Sequence, residues 1–398
     1  MSARKFVAEY VSRHLDGLTV LASLADRPAA AAGSSSNSAA AKPVICTHNG
    51  SFHCDEAMAC GLLRHVPEYR EAVILRTRDP KQIDACDIVV DVGAIYDVDT
   101  NRYDHHQASF HGTMTTPKKA YKTRLSSAGL VYKHFGRQII RQYVEAVLQP
   151  SSPARAAVLS MTSWSESRTG VSDAELDVLE DALYANFVEQ VDGIDNGVEC
   201  WGLADPAVGT LVPNYKQSTN LSQRIGQLQA YWNEPENGDV VAENANFAVA
   251  VEMAVTEFFG ALTYLAFSWL PARSIVEAAF QRRHEFDESG KIMVFKDVKV
   301  CPWKDHLLEL EAESNCLGAV LYVVFSDGKG WRVQAVPKTS TSFENRKPLP
   351  YRGLRDDALS AACGIEGGVF VHVSGFIGGM KTFDGAMALA KQALVVVN

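Results

Sequence analysis

The stretch Thr47-His48-Asn49-Gly50-Ser51-Phe52-His53-Cys54-Asp55-Glu56 decides how this chain is read. An apolar run, Val44-Ile45-Cys46, leads into it, and a helical pattern from Asp55 to Val66, stopped by Pro67, leaves it. His48 therefore stands at a strand end, before the turn dipeptide Asn49-Gly50. His53 and Asp55 stand two residues apart at the mouth of the next helix. Strand, polar turn and helix in that order bring three potential metal ligands over one sheet edge.

The arrangement recurs downstream. The apolar run from Ile88 ends in Asp91-Val92-Gly93, and Tyr103-Asp104-His105-His106-Gln107 follows. An acid that closes an apolar strand is costly to bury without a partner, so a cation is its natural neighbour. Six of the eleven histidines fall between positions 48 and 111, which argues for one site rather than scattered surface histidines. His65 and His111 are the exceptions, explained well enough as helix-surface or loop residues. The helix dipole also favours acids at Asp55 and Glu56, an explanation left open for Glu56. Val191-Asp192-Gly193-Ile194-Asp195-Asn196-Gly197 offers a later carboxylate in Asp192 or Asp195, although Asp-Gly and Asp-Asn are also common turn pairs. Carboxylates mixed with imidazoles suit divalent metals that act on phosphates, so the residues alone read as a metal-dependent phosphoesterase.

The surrounding pattern predicts an α/β protein. Ala72 to Leu75 and Ile88 to Val92 are continuous apolar strands, as in a parallel sheet covered on both faces. Ser126 to Leu148 is helical, with Ser126 and Ser127 as candidate N-caps. Asp173 to Asp192 is helical, Leu221 to Trp232 forms a helical patch, and Glu243 to Leu270 is a long apolar helix broken at Pro271. Strands then follow at Lys291–Phe295, Leu317–Phe325, Trp331–Val336 and Val369–Val373, with a hairpin signal at Asp327-Gly328-Lys329-Gly330. The expected organisation is a tail over 1–42, a metal-binding catalytic domain over 43–238, a helical connector over 239–290 and a smaller α/β domain over 291–398. The active-site cleft is expected between the two domains.

Length and composition agree with this. The 398 residues suffice for two cores, and the formal net charge is −9. A body that acidic grips nucleic acid only through a local basic patch. The eight cysteines form no C-x-x-C pair and read as reduced thiols of an intracellular protein. Cys54, although set among candidate ligands, is expected to stay off the metal. No apolar run has transmembrane length, because Glu252 and Glu257 interrupt Ala248 to Leu270, so no membrane partner is expected. Residues 1–42 combine helical spacing at Phe6, Val7, Tyr10, Val11 and Leu15 with an Ala/Ser-rich stretch from Ala29 to Ala41. A transit peptide and a disordered tail are both open; Glu9, Asp16 and Asp26 count against the first. Mitochondrial, nuclear and cytoplasmic locations stay open with them, as does the oligomeric state.

The order H…H-x-D, then Asp91 at a strand end, then Asp104-His105-His106, then a later Asp, resembles the DHH phosphoesterase superfamily. That superfamily includes exonucleases, small-nucleotide phosphodiesterases and manganese-dependent pyrophosphatases. With Val373-Ser374-Gly375-Phe376-Ile377-Gly378-Gly379 near the C-terminus, the chain resembles specifically the melanocyte-proliferating-gene exonuclease family, from Pro43 onward apart from the Gln149–Val171 insert. The resemblance implies metal ligands at His48, Asp55, Asp91, His105 and Asp192. It places His53 where most DHH enzymes have aspartate, which keeps a ligand but lowers the negative charge. It implies that His106 faces the phosphate, donating a proton or hydrogen bond to the leaving group, and that Asp104 orients a histidine.

The basic segment containing Arg332, Lys338, Arg346, Lys347, Arg352 and Arg355 offers a phosphate-binding surface in the second domain. Ser374, Gly378 and Gly379 are expected to lie in a loop whose backbone N–H groups wrap an anion. The function expected is phosphodiester hydrolysis by metal-activated water with two divalent ions, Mn²⁺ or Mg²⁺. The resemblance favours a 3′–5′ exonuclease acting on RNA. Two other readings stand beside it. One is a small-molecule phosphoesterase, cleaving pyrophosphate or dinucleotides, and the other is a non-catalytic RNA- or protein-binding factor with a structural metal.

Overall fold

A computed structural model describes residues 1–27, 41–162, 164–198, 218–296, 298 and 300–396. The chain divides into two compact units, Met1–Phe267 and Ser268–Asn398, both of mixed α/β character. The boundary falls inside the segment read as a helical connector.

In the first unit, β1 (Val20–Leu21), β2 (Val44–Thr47), β3 (Val73–Arg76), β4 (Ile88–Val90), β5 (Tyr96–Asp97) and β6 (Arg102–Tyr103) form one sheet in the order β1-β3-β2-β4-β6-β5. Every neighbouring pair is parallel except β5 with β6. All residues of β2, β3 and β4 are buried, which is why these strands read as unbroken apolar runs instead of alternating ones. Cys46 pairs with Leu75 on one side and Val89 on the other, so β2 and β4 end side by side. Their C-terminal ends deliver His48 and Asp91 to the same edge. A small hairpin, β7 (Thr113–Thr115) with β8 (Ala120–Arg124), follows.

The helix Cys54–Leu63 is buried along its whole length and packs on the helices Ser127–Leu148 and Val240–Tyr264. Gly61 permits the second contact, because a Cβ there would lie 2.4 Å from Val255 Cγ1. The N-terminal residues include an element of the same core. Ser2 caps the helix Ala3–Leu15, which buries Phe6, Val7, Tyr10, Val11 and His14 and packs on Val240–Tyr264. Part of the span read as a tail is therefore packed structure; the Ala/Ser-rich stretch at 29–41 lies outside the described residues except for Ala41.

The expected break at Pro271 is instead a restart. A π-helical turn, Leu265–Trp269, leads into the helix Leu270–Gln281, with Pro271 in its first turn, where a missing N–H costs nothing. The run Val240–Gln281 is long and apolar enough to cross a membrane by length and composition alone, contrary to the sequence reading. Half of its most apolar window is buried, including Phe247, Val251, Val255, Phe258 and Phe259, which is the pattern of a core helix.

In the second unit, β9 (Ile292–Phe295), β10 (Tyr322–Ser326), β11 (Trp331–Ala335), β12 (Gly368–Val371) and β13 (Ile377–Met380) are ordered β12-β13-β11-β10-β9. Only β9 and β10 run parallel. One core lies beneath Leu270–Gln281 and Lys304–Glu313, the other beneath Asp356–Cys363 and Phe383–Val395. β13 was not expected: Gly378 and Gly379 were read as an anion-binding loop. They lie in an interior strand, Gly378 opposite Val333 and Val371, and Gly379 opposite Arg332 and Phe370. Their small size serves packing. A Cβ on Gly379 would stand 2.9 Å from Phe370 Cε1, and one on Gly378 would stand 3.2 Å from Leu349 Cδ1.

Candidate metal centre

β2 releases its chain into the loop that carries His48. Arg76, buried at the end of β3, fixes this loop by donating to the Gly50 carbonyl at 2.5 Å. Its guanidinium lies over the rings of Phe52 and Phe247 and is neutralised by Glu243 at 2.8 Å. His48 donates from Nδ1 to the Asn49 carbonyl at 3.1 Å, which leaves Nε2 facing inward, 3.2 Å from Glu56 Oε1 and 3.4 Å from Asp91 Oδ2. Burial opposes a charge on His48, but the hydrogen bonds to Asp91 and Glu56 outweigh it and push the imidazole up to about 10.

Asp91 occupies the left-handed region of backbone space, with φ 57°, where an aspartate is tolerated and most residues are strained. Its carboxylate meets four groups: Ser127 Oγ donates to Oδ1 at 3.0 Å, His105 Nε2 and His106 Nδ1 lie 3.3 Å and 3.6 Å from Oδ1, and His48 lies against Oδ2. Burial alone would raise Asp91, yet His105 and His48 hold it far below the usual carboxylate range. Asp55, at the start of its helix, has the opposite character. It is buried, and neither carboxylate oxygen has a hydrogen-bond partner among the described residues. Burial and the nearby Asp91, Asp195 and Glu56 charges drive its carboxyl well above the ordinary value.

The ligand atoms converge in overlapping groups: His48, His53 and Glu56; Asp55, Glu56 and Asp91; Asp55, His105 and Asp195; Asp91, His105 and His106. Within each group all ligand atoms lie within 4.8 Å of one another. Asp55, Glu56, Asp91 and His105 each belong to two groups, so the groups form one continuous cluster. A buried acid with two orphaned oxygens, in contact with further acids, fits a divalent cation and is hard to explain without one.

Asp192 lies elsewhere than the sequence reading placed it. It accepts from the Ser126 backbone N–H at 2.9 Å, the Ser126 hydroxyl at 2.8 Å and the Tyr184 hydroxyl at 2.8 Å. It thus seals the N-terminus of the Ser127–Leu148 helix, where negative charge is favoured. Gly129 makes room for it, since a Cβ there would lie 2.3 Å from Asp192 Oδ1. Burial pushes Asp192 up to about 7, against the three hydrogen bonds. Asp195, one helical turn on, faces the cluster instead, 3.2 Å from His105 Nε2. The sequence offered both acids of the V-D-G-I-D-N-G motif, and only the helical phase separates them.

His106 and Asp104 form a pair at the cluster's edge. Asp104 Oδ1 meets His106 Nδ1 at 2.7 Å, while Oδ2 accepts from the Ala94 N–H at 2.6 Å. The hydrogen bond to Asp104 raises His106, whose side chain is 59% exposed, whereas that of His105 is 6% exposed. His105 is thus buried within the cluster, while the more exposed His106 stands at its edge, Nδ1 3.6 Å from Asp91 Oδ1. Glu56, for which helix capping stays an open explanation in the sequence, does accept from the His53 N–H at 2.7 Å, and it also reaches His48. Its i+1 position after Asp55 was the only signal available. Cys54 lines the cavity but joins no ligand group, and burial pushes its thiol up to about 12. His65 is fully buried among Tyr10, His14 and Phe259, not on a helix surface.

The cluster opens into a cavity of about 1460 Å³. Arg78, Arg102 and Arg124 line it, together with Phe52 and, from the Leu221–Gly226 helix and the residues after it, Ser222, Gln223, Gln227 and Gln229. The sequence reading missed these arginines because they are scattered between the metal motifs. In the second unit most of the expected phosphate contacts have partners within the protein. Arg346 grips Glu311 and Arg332 pairs with Asp327. Arg352 donates to the Leu349 carbonyl at 3.4 Å, and Ser374 Oγ bonds His372 Nδ1 at 2.9 Å. Arg355 precedes the Asp356–Cys363 helix as its N-cap and is exposed.

Comparison with known proteins gives the family. A family profile described as MYG1_exonuc, an uncharacterised protein family (UPF0160), matches residues 44–394. The MYG1 exonuclease of Bos taurus is 45% identical over 359 residues, covering 89% of this chain and 85% of the relative. The MYG1 exonuclease of Homo sapiens is 44% identical over 359 residues, covering 89% and 86%. The MYG1 protein of Saccharomyces cerevisiae is 40% identical over 354 residues, covering 88% and 95%. Nearly the whole described chain is thus matched, metal cluster included, and the protein belongs to the MYG1 exonuclease family.

Proposed function

We propose that this protein is a metal-dependent phosphodiester hydrolase of the DHH type, acting on RNA as a 3′–5′ exonuclease. One observation carries the reading: the convergence of buried His48, Asp55, Glu56, Asp91 and His105 with the half-buried Asp195, the Asp55 oxygens having no hydrogen-bond partner among the described residues. The names of the bovine and human relatives, which call them exonucleases, support a nuclease in particular.

These residues, with His53 beside His48 and Glu56, would hold the divalent ions, Mn²⁺ or Mg²⁺. When bound, such ions lower the pKa of a coordinated water and stabilise charge on phosphate. The chain's own residues supply the rest. Ser127 fixes the Asp91 carboxylate, and the Asn49 carbonyl holds His48 in the tautomer whose Nε2 is a free ligand. Asp104 anchors His106 through Nδ1, so that Nε2 is the atom presented to a leaving group, and the raised pKa keeps a proton there to give. Arg78 and Arg124 at the cavity wall are placed to bind phosphate oxygens.

The test is hydrolysis of end-labelled RNA, end-labelled DNA, a dinucleotide and pyrophosphate by one purified preparation with each divalent metal in turn. Stepwise shortening of RNA from the 3′ end, abolished by chelation, is the expected result. A second reading, a phosphoesterase for pyrophosphate or dinucleotides, is favoured by the engagement of Arg332 and Arg346 with carboxylates, which removes two phosphate contacts that a long strand would use. Preference for the small substrates would select it.

A further inference from the structure

Beyond the metal cluster, the cavity wall carries an unusual surface. Gln229, which lines the cavity, is held there by a hydrogen bond from Nε2 to the Phe52 carbonyl at 3.1 Å. Two residues later come Tyr231 and Trp232, side by side, 61% and 88% exposed. They do not sit on a loose segment. The Glu234 backbone N–H donates to the Tyr231 carbonyl at 3.0 Å, and Glu234 Oε2 accepts from the Tyr231 N–H at 2.7 Å. Three residues of chain span at most about 11 Å, so Trp232 stands within that distance of the cavity-lining Gln229. Leu317 and Phe343 are exposed singly, and the exposed pair Val240-Val241 is aliphatic; here two adjacent aromatic rings are presented to solvent beside the cavity.

The charge around the cavity indicates what they meet. Arg78, Arg102 and Arg124 line it, and among the described residues none of the three pairs with a carboxylate. Arg102 and Arg124 are steered by backbone carbonyls, and Arg78 donates to the Asn49 carbonyl at 3.3 Å. Near Tyr231 and Trp232 the charges are instead acidic, Glu234 and Glu236. Phosphates are attracted to one part of this surface and repelled from the other, while an aromatic face accepts a base of any identity. A strand whose backbone follows the arginines and whose bases face outward satisfies both.

We propose that Trp232, with Tyr231, is a stacking platform for a nucleobase of a single-stranded nucleic acid whose phosphates are held by Arg78 and Arg124. This rests on the phosphodiester hydrolase reading and adds to it how a strand is told from a small phosphate compound. The sites deepen one another: the cluster cleaves, and the platform grips the part of the strand that carries bases.

The experiment compares binding of a fluorescent single-stranded oligoribonucleotide with that of a strand of equal length carrying abasic positions, using the full chain with Mn²⁺ and phosphorothioate linkages that slow cleavage. Wild type is expected to bind the base-bearing strand about 5- to 100-fold more tightly. Trp232→Ala should reduce that preference to near one, Trp232→Phe should restore most of it, and Arg78→Ala should weaken both strands alike. A preference unchanged in Trp232→Ala, or absent from wild type, overturns the platform. So does self-association that is lost in Trp232→Ala without any change in binding, which would assign the aromatic pair to a second copy. Cleavage is read separately on unmodified strands with the same wild-type preparation. Trp232-dependent base preference without strand shortening supports the platform and removes the hydrolase; shortening without base preference does the reverse.

Discussion

Arg346 holds Glu311 with both terminal nitrogens, at 2.8 Å to Oε1 and 2.6 Å to Oε2, and the glutamate is fully buried. Glu311 in turn accepts from the backbone N–H groups of Gly318 and Val320. The pair joins the Lys304–Glu313 helix to the segment entering β10. Arg346→Met should therefore cost about 3–5 kcal/mol of stability, as when one partner of a buried ion pair is removed. Chemical denaturation measures this. Substrate affinity of the folded fraction should stay close to wild type; a stable variant with weakened RNA binding would return Arg346 to the substrate.

Asp55 is predicted to trade stability for metal binding. Its carboxylate is buried without a hydrogen-bond partner among the described residues, beside other acids. Asp55→Asn should raise the melting temperature of the metal-free protein. It should also abolish the stabilisation that Mn²⁺ gives wild type, since a ligand adds stability only in proportion to its binding. Thermal scans with and without Mn²⁺ after chelation check both halves. An equal Mn²⁺ shift in the two proteins would remove Asp55 from the site.

His105 and His106 should separate cleanly. His105→Ala is expected to lose bound metal and turnover together, because its ring lies between Asp91 and Asp195. His106→Ala should keep its metal and lose about 100-fold or more in turnover, within the range typical of a positioned proton donor. Metal analysis alongside steady-state rates distinguishes the two. Matching metal loss in both variants would place His106 among the ligands.

His65 gives a pH dependence of stability that is independent of the metal. Burial, with His14 alongside, lowers its imidazole to about 3 from an ordinary 6.5. The unfolded chain thus binds a proton there that the folded chain refuses. The contribution is fully present above pH 6.5 and declines toward pH 3, by up to about 1.4 kcal/mol per pH unit. Denaturation midpoints between pH 7 and pH 4.5 should fall, and more shallowly in His65→Phe, which keeps an aromatic ring among Tyr10, His14 and Phe259. Parallel slopes for both proteins would assign the loss to other groups.

The site was legible wherever a ligand followed an apolar strand. β2 and β4 are buried on both faces, so their sequences are unbroken, and the polar residue that ends each one is conspicuous. Asp192 and Asp195 could not be sorted that way. They lie on one short helix, and which acid faces the cluster depends on a hydrogen bond from Ser126, more than sixty residues earlier. Gly378 and Gly379 misled because glycine has two uses: it frees backbone for an anion, and it makes room for Phe370 and Leu349. Only the neighbouring strands reveal which use applies. The arginines of the cavity wall carry no motif at all, since the fold assembles Arg78 from the loop after β3, Arg102 from β6 and Arg124 from the end of β8.

The left-handed backbone at Asp91 narrows what any variant of this protein can carry there. Glutamate supplies the charge but is a poor fit to φ 57° and has a longer reach; asparagine and glycine accept the backbone and lack the charge. The two requirements intersect at a single amino acid. A saturation library at this codon, sorted for folded protein, should return asparagine and glycine beside aspartate. The same library sorted for turnover should return the parental residue alone, making position 91 a one-codon marker of whether a distant member of the family retains the chemistry.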